Sequence, residues 1–270
     1  MAMTEVPRQE KERGMAGSAE QSLSGVRVMV TRPRNPRDSL VEQLRRFGAD
    51  VVWQPAIRIE PPLDWRPVDD ALARLDAFHW LVFSSANGVR YLLERFRRDR
   101  TTVPPLPAGL RIAAIGPGTA DELRRYRLQA DLVPERFLAD ALADSLCREA
   151  RGRRFLLARA SRGREILAER LTAAGGDVEQ IVVYRSLDEP APDPQIAAML
   201  AAGHIDWITV TSSAIARSLV NLFGDRLRCS RLASISPLTS GVLRGLGYAP
   251  SVESAEYTMP GLTAAMIGKV

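Results

Sequence analysis

Cysteine, histidine and lysine are scarce in this chain of 270 residues. Two cysteines, Cys147 and Cys229, are too few for the disulfide framework of a small secreted scaffold. His79 and His204 are far apart in sequence, and neither has a further ligand at helical spacing, so no metal site is predicted. Because Lys11 and Lys269 are the only lysines, arginine supplies nearly all of the positive charge.

The sequence also lacks long apolar runs and several motifs that bind nucleotides or carry a catalytic nucleophile. No apolar stretch reaches the ~20 residues that span a bilayer, and residues 1–24 lack the apolar core of a secretory signal. These features predict a cytoplasmic protein with no membrane partner and a disordered polar tail over residues 1–24. No GxxxxGK[ST] or GxSxG motif occurs, and Asp121 replaces the third glycine of the partial fingerprint "GPG" at 116–118.

The charge balance is basic and the composition is that of a globular protein. Net charge is +5, the isoelectric point is about 9.7, and 46% of the residues are hydrophobic. The arginines can form a solvated surface or attract an anionic partner. Nucleic acid is not the predicted partner, because the sequence has no basic cluster with interleaved aromatic residues.

Two stretches repeat one another: "HWLVFSSANGVRYLLERF" at 79–96 and "DWITVTSSAIARSLVNLF" at 206–223. Their tryptophans are separated by 207 − 80 = 127 residues, and their final phenylalanines by 223 − 96 = 127. "LRRFGADV" and "LTAAGGDV" share this offset, whereas "RIAAIGPGTADELRR" and "RLASISPLTSGVLRG" are 120 apart because the first copy has a longer loop. The repeat predicts an internal duplication that forms two similar domains.

Short Val- and Ile-rich runs alternate with amphipathic helical patterns throughout both copies. "VRVMVT" predicts a buried strand, and the helical pattern of "NPRDSLVEQLRRFG" follows it and stops at a glycine. We interpret "ADVVWQPAIRI" as one strand and "ADLVP" as a brief one. This order predicts an α/β fold with two flavodoxin- or Rossmann-like parallel-sheet domains.

Hydroxyl residues recur where a predicted strand passes into a helix. Ligands of open α/β sheets bind beyond the carboxyl ends of the strands, and helix N-termini attract anions through unsatisfied N–H groups. A single serine or threonine there can equally be a helix cap. The matched set in both copies favours a cleft that binds a ligand with many carboxylates or phosphates.

The ordered segments "VTRP", "FSSANGV", "AAIGPGTADEL", "VVYRS", "TSS" and "EYTMPGLTAAM" resemble the uroporphyrinogen-III synthase family over roughly residues 25–267. This resemblance implies an enzyme, a cyclising hydro-lyase of porphyrin (haem-type) biosynthesis. Such an enzyme converts hydroxymethylbilane into uroporphyrinogen III with inversion of ring D, and it needs no metal or cofactor. We expect a monomer whose partner is this small-molecule substrate.

The resemblance also changes the expected domain division. The residues alone suggest two sequential halves. Family members instead resemble two α/β domains joined by a two-stranded linker with a cleft between them. This implies a first domain of residues 25–57 with 186–270 and a second domain of residues 58–185.

The resemblance and the strand-end positions together define the candidate site. Tyr184 in "VVYRS" matches a tyrosine of the family, for which the resemblance implies the role of proton donor, and its partner in the first copy is Ile57. In the second copy, Ser236 and Leu238 stand where the family usually has glycine and threonine. The candidate substrate-binding residues are Arg32, Ser84, Ser85, Asn87, Gly116, Thr119, Arg159, Ser161, Thr211, Ser212, Ser213, Ser236, Thr239 and Tyr257.

Two other functions remain open from the sequence. Duplicated α/β lobes also occur in non-catalytic sensors that bind an anionic metabolite. A nucleotide-sugar transferase is a further alternative, which the missing phosphate-binding loop disfavours.

Overall fold

The computed structural model describes residues 22–36, 38–98, 101–163 and 165–269. Most of the predicted tail, residues 1–21, lies outside the described residues. The predicted end of the tail at residue 24 is wrong, because Leu23 is fully buried and its N–H donates to the Phe47 carbonyl at 2.8 Å. Burial of this apolar side chain therefore fixes the start of the folded region before Leu23.

Ten strands and ten α-helices occur in the described residues, and they alternate along most of the chain. In chain order they are β1 (Arg27–Val30), α1 (Ser39–Arg46), β2 (Asp50–Trp53), β3 (Ile57–Glu60), α2 (Arg66–Ala73), β4 (Trp80–Phe83), α3 (Ala86–Arg97), β5 (Arg111–Ala114), α4 (Pro117–Arg125), α5 (Ala139–Cys147), β6 (Arg154–Ala160), α6 (Ile166–Ala173), β7 (Asp177–Asp188), α7 (Pro194–Ala201), β8 (Trp207–Val210), α8 (Ser213–Phe223), β9 (Arg231–Ser234), α9 (Pro237–Gly245), β10 (Val252–Glu253) and α10 (Met259–Ile267). Short 3₁₀ turns occupy Leu75–Ala77 and Gly224–Cys229.

The chain divides into two compact units. Unit 1 consists of the chain up to Arg58 and the chain from Asp188 onward, and unit 2 runs from Ile59 to Leu187. The chain passes between the units inside β3 and again inside β7, which are neighbours in one sheet. The sequential halves suggested by the residues alone are wrong, because β1 near the start of the chain pairs with β8.

Each unit contains a five-stranded sheet, and four neighbouring strands of one sheet correspond by the duplication to four of the other. One sheet runs β10-β9-β8-β1-β2 and the other β3-β7-β6-β4-β5. The pairs β1–β2, β1–β8, β8–β9, β9–β10, β4–β5, β4–β6 and β6–β7 are all parallel. Parallel strands wrapped by helices confirm the predicted α/β class.

The strand register preserves the duplication residue by residue. Val28 pairs with Trp207 in unit 1, and Phe155 pairs with Trp80 in unit 2. The two pairs are related by the 127-residue offset of the repeat, because 28 + 127 = 155 and 80 + 127 = 207. In each unit the first strand of one copy therefore pairs with a later strand of the other copy.

Alternating side chains of unit 2 build two apolar layers. Leu81 and Phe83 of β4 pack with helices α2, α3 and α4 in one buried cluster. Trp80 and Val82 pack with α5 and α6 in another. Successive strand residues point to opposite faces of a sheet, so both faces of β4 are covered. This explains why the strand has no polar residue in its sequence.

The predicted single strand "ADVVWQPAIRI" is wrong, because the chain forms β2 and β3 in different sheets. Pro55 has no N–H and interrupts the parallel ladder between Gln54 and Ala56, whose N–H groups donate to the carbonyls of Val30 and Thr31 at 3.0 and 2.9 Å. The Gln54 side chain accepts from the Asp193 N–H at 2.7 Å. The predicted brief strand "ADLVP" is also reduced, to a single bridge between Ala113 and Leu132.

Across the described ranges, no helix combines the length and the apolar character needed to cross a membrane.

Gly261 in α10 has no room for a side chain, because an added Cβ would lie 2.6 Å from Ser254 Oγ. We expect Gly261→Ala to lower the free energy of unfolding by about 2 kcal/mol, as overpacked sites do. Gly241 in α9 provides a matched control, since nothing lies within 4 Å of its added Cβ. Gly241→Ala should raise stability by up to about 1 kcal/mol. Urea denaturation measures the free energy of unfolding of both variants. Equal changes in the two variants would contradict the overpacking expected at Gly261.

Candidate functional site

Equivalent serines cap equivalent helices beyond the carboxyl ends of β4 and β8. The Ser85 Oγ accepts from the Gly88 N–H at 3.0 Å at the start of α3. The Ser212 Oγ accepts from the Ile215 N–H at 3.2 Å at the start of α8. Both serines have extended backbone, as an N-cap requires. Each cap satisfies one N–H and leaves a helix N-terminus that favours negative charge.

Tyr184 on β7 lies against the cap of α3. Its side chain is buried, and its hydroxyl oxygen is 3.0 Å from Ser85 Oγ. Within the described chain, Ser85 is the one side chain that hydrogen-bonds this hydroxyl. Burial raises the pKa of the Tyr184 phenol, and the hydrogen bond to Ser85 opposes that rise. The phenol is therefore protonated at neutral pH and can act as a proton donor.

The first turn and a half of α3 also fixes the ring of Tyr184. Tyr91 stacks on Tyr184 with ring centroids 5.8 Å apart and planes inclined by 28°. The Tyr91 hydroxyl donates to the Ile59 carbonyl at 3.3 Å, and the Arg90 guanidinium lies 5.5 Å from the Tyr91 ring centroid. Arg90 is held in turn by Asn87 Oδ1 at 3.0 Å. The predicted residues Ser85, Asn87 and Tyr184 are thus brought together in unit 2.

Ser161 lies beside the same strand. Its N–H donates to the Tyr184 carbonyl at 2.9 Å, and its Oγ accepts from the Ser186 N–H at 3.3 Å. These bonds extend the β6–β7 pairing past Tyr184. Ser161 is exposed, so its position relative to Tyr184 is fixed mainly through the backbone.

The caps of α4 and α9 differ although their positions are equivalent. Gly116 caps α4 without a side chain, and an added Cβ would lie 3.0 Å from Phe137 Cβ. Ser236 caps α9, and its Oγ accepts from the Thr239 N–H at 3.4 Å. The substitution of Ser236 for glycine therefore satisfies one N–H internally at α9. The side chains of Thr119 and Thr239 are buried, so a ligand would meet backbone N–H groups there.

Arg159 lies near the carboxyl end of β6, Arg32 follows the equivalent strand β1, and each is paired with a carboxylate of the protein. Arg159 Nη1 bonds Glu165 Oε1 and also Gln180 Oε1 at 2.7 Å. Arg32 Nε lies 3.2 Å from the buried Asp38 carboxylate. An incoming carboxylate at either arginine would compete with an existing ion pair.

The remaining predicted residues have fewer contacts. Ser84 is exposed, and Thr211 and Tyr257 are half-buried. The Oγ of Ser213 is buried without a hydrogen-bond partner among the described residues. Arg32, Thr211, Ser212, Ser213, Ser236, Thr239 and Tyr257 belong to unit 1, and the other predicted residues belong to unit 2.

None of these predicted residues lines either of two cavities in the described chain. A cavity of about 650 Å³ in unit 1 lies between the β10 region and α10. A cavity of about 250 Å³ in unit 2 lies beside Asp69 and Arg95. Among the residues that the structure describes, no group of three His, Cys, Asp or Glu side chains is placed to hold a metal ion.

The profile of the family described as "Uroporphyrinogen-III synthase HemD" matches residues 38–264. The chain belongs to the uroporphyrinogen-III synthase family. This confirms the resemblance inferred from the ordered segments.

Curated relatives of the family cover most of the chain. A protein of Synechococcus elongatus named uroporphyrinogen-III synthase is 33% identical over 92% of this chain and 97% of that protein. One of Chlorobaculum parvum with the same name is 28% identical over 82% of this chain and 89% of that protein.

Solved structures of family members share the fold. A uroporphyrinogen III synthase of Thermus thermophilus gives a TM-score of 0.61 at 17% identity, covering 89% of this chain and 97% of that one. A uroporphyrinogen-III synthetase of Helicobacter pylori gives 0.57 at 16% identity, covering 90% and 98%.

Sequence reasoning within this family missed several residues of the site. Tyr91 and Arg90 were not distinguished from the other residues of the amphipathic α3 pattern. Their spacing from Ser85 and Asn87 nevertheless places them near the same end of α3. Phe137 has a detectable signal, since it lies 257 − 137 = 120 residues before Tyr257. Glu165 has none, because nothing in the sequence links it to Arg159.

The pKa of Glu165 is held below its usual value by the Arg159 guanidinium and then by the Gln180 amide. We expect Arg159→Gln to raise the pKa of Glu165 towards that of ordinary glutamate, because its main stabilising partner is lost. A ¹³C NMR titration of the side-chain carboxyl in ligand-free protein measures this.

Because the pKa of Glu165 is lowered by folding, the ion pair stabilises the folded state at pH values above the pKa of glutamate in the unfolded chain. This stabilisation is lost as the pH falls through the pKa of Glu165 in the folded protein. The exposed Arg148 supplies a control, and Arg148→Gln should leave the Glu165 titration unchanged. An unchanged Glu165 titration in Arg159→Gln would show that the ion pair does not persist in solution.

Proposed function

We propose that this protein converts hydroxymethylbilane into uroporphyrinogen III with inversion of ring D. The observation that carries the proposal is 33% identity over 92% of the chain to a protein named uroporphyrinogen-III synthase. Family membership supports an enzyme of porphyrin biosynthesis. We assign it to the cyclising hydro-lyases because the proposed reaction closes a ring and releases one molecule of water. We further propose that the enzyme works as a cytoplasmic monomer.

The substrate is a linear tetrapyrrole with four acetates and four propionates, and the strand-end groups are complementary to that charge. The N-termini of α3, α4, α8 and α9 offer backbone N–H groups and partial positive charge. Arg32 and Arg159 become carboxylate ligands when a substrate carboxylate replaces Asp38 or Glu165. Because Gly116 has no capping hydroxyl, α4 leaves more of its first turn free than α9 does.

The proposed first step is loss of the hydroxyl on ring A. Tyr184 donates its phenolic proton to that oxygen, the C–O bond breaks with its electron pair on oxygen, and water leaves. The cationic azafulvene that remains is attacked by the substituted carbon of ring D, which forms a spiro intermediate. Fragmentation and reclosure then invert ring D.

The last step restores the enzyme. The closed macrocycle loses a proton from ring carbon, and the Tyr184 phenolate accepts it. The sum is hydroxymethylbilane giving uroporphyrinogen III and water, with no net transfer of electrons. Because the activated chain closes without inversion when unassisted, most of the enzyme's contribution is to hold ring D so that its substituted carbon is nearest.

Isomer analysis tests the function directly. Purified protein is added to freshly made hydroxymethylbilane, and the oxidised porphyrins are separated chromatographically. We expect the type III isomer with native protein and type I alone with heat-inactivated protein. The alternative of a non-catalytic sensor, which the relatives do not support, predicts binding of hydroxymethylbilane with only the type I product.

Tyr184→Phe tests the proton donor. We expect kcat to fall by about 10- to 100-fold, because general acid catalysis is lost while substrate positioning remains. Tyr248, a similarly buried tyrosine in unit 1, is the matched control, and Tyr248→Phe should leave kcat unchanged. Since the pKa of Tyr184 is raised, wild-type activity should not decline through loss of this proton until the pH exceeds about 10. Unchanged turnover in Tyr184→Phe would remove Tyr184 from the mechanism.

A further inference from the structure

The hydroxyl of Ser85 connects the N-terminus of α3 to Tyr184. Its oxygen accepts from the Gly88 N–H at 3.0 Å and lies 3.0 Å from the Tyr184 hydroxyl oxygen. Ser85 has one hydrogen of its own to donate. With one lone pair occupied by Gly88, that hydrogen can be directed at the Tyr184 oxygen.

The direction of the Ser85–Tyr184 bond is decided when Tyr184 releases its proton. The phenolate oxygen can then only accept hydrogen bonds, so Ser85 must be the donor. Tyr184 is otherwise a weak acid, because burial raises its pKa. A donor that is itself anchored to a helix N-terminus stabilises the phenolate and so makes the buried phenol a stronger acid.

We propose that Ser85 is a positioning residue that donates its hydroxyl hydrogen to the Tyr184 oxygen and so directs the phenolic proton towards the substrate. No bond to Ser85 is made or broken in the reaction; the proton that leaves is the one on Tyr184. The inference rests on the proposed function, in which Tyr184 is the proton donor.

The other groups around the ring hold it in place. Tyr91 stacks on Tyr184, and the Arg90 guanidinium, which lies over the Tyr91 ring, also favours the phenolate. Tyr91 is the other titratable group that influences Tyr184, in the opposite sense. These groups leave the hydroxyl hydrogen of Tyr184 free to turn, and Ser85 sets its direction.

Comparison of the two copies distinguishes the two roles of Ser85, which are capping of α3 and hydrogen bonding to Tyr184. Ser212 caps α8 in the same way that Ser85 caps α3, with its Oγ 3.2 Å from the Ile215 nitrogen. The position equivalent to Tyr184 is Ile57, since 184 − 127 = 57, and an isoleucine cannot accept a hydrogen bond. Ser212 therefore has the capping role without a tyrosine partner.

The proposal can be tested without substrate by ¹⁹F NMR. We would place 3-fluorotyrosine at position 184 of the full-length protein, which lowers the phenol pKa, and follow its titration in four backgrounds. The backgrounds are Ser85→Ala, Ser85→Thr, Ser85→Gly and unsubstituted Ser85. Ser85→Gly is the sharpest variant, because glycine is accepted at an N-cap but has no hydroxyl to donate and adds no charge beside the phenol.

We expect Ser85→Ala and Ser85→Gly to raise the titration midpoint and Ser85→Thr to leave it near that of the unsubstituted protein. Ser212→Gly, the matched change at the other cap, should leave the midpoint unchanged. A midpoint that stays or falls in Ser85→Gly would overturn the proposal. If Ser85→Ala does not fold, Ser85→Gly and Ser85→Thr still decide the question, because glycine and threonine are both accepted at an N-cap.

Kinetics provides the second measurement. In unlabelled protein we expect Ser85→Gly to lower kcat by about tenfold or more, as loss of a charge-assisted hydrogen bond does. Ser85→Thr should restore kcat, and KM should change little in both because neither variant alters the charge at the N-terminus of α3. Failure to form the type III isomer in the unsubstituted protein would refute the proposed function, whereas a normal isomer ratio with an unmoved ¹⁹F midpoint would refute only the role of Ser85.

Discussion

Each unit depends on a parallel pairing between strands that come from different copies of an internal duplication. Val28 of β1 pairs with Trp207 of β8, and Phe155 of β6 pairs with Trp80 of β4, in the same register. None of these strands is at the edge of its sheet, and the four paired residues are buried. Because a shift by one residue would turn every apolar side chain to the opposite face, this register fixes where all the strand ends lie. The positions of the helix caps follow from it.

The same pairing places a buried phenol where polar chemistry is possible. Tyr184 is surrounded by apolar side chains of the unit 2 core, and its oxygen meets the capped end of α3. Burial favours the neutral phenol, whereas the serine hydroxyl and the helix N-terminus favour the charged form. The second copy has the cap and the helix but an aliphatic residue instead of the tyrosine. The duplicated framework thus became chemically asymmetric through a change on one strand.

Much of this arrangement could be predicted from the sequence, and the errors have physical causes. The repeat of "HWLVFSS" and "DWITVTSS" located the central strands and both serine caps, because apolar runs and N-cap residues are local signals. The division of "ADVVWQPAIRI" into β2 and β3 was missed, since the ladder ends at Pro55 only when β1 lies beside it. The ion pair of Arg159 with Glu165 was also missed. Ion pairs depend on side-chain geometry, which no spacing rule encodes.

The insertion of unit 2 within unit 1 has a consequence for the order in which the protein matures during synthesis. Residues up to Arg58 leave the ribosome first and contain both β1 and its neighbour β2, but the other neighbour of β1, β8, appears only 207 − 28 = 179 residues later. Unit 2 is continuous and can collapse as soon as Leu187 has emerged. Once compact, it shortens the effective distance between β1 and β8 and lowers the entropic cost of joining them. The domain that is begun first is therefore completed last, and one side of β1 stays unpaired until unit 2 has been made.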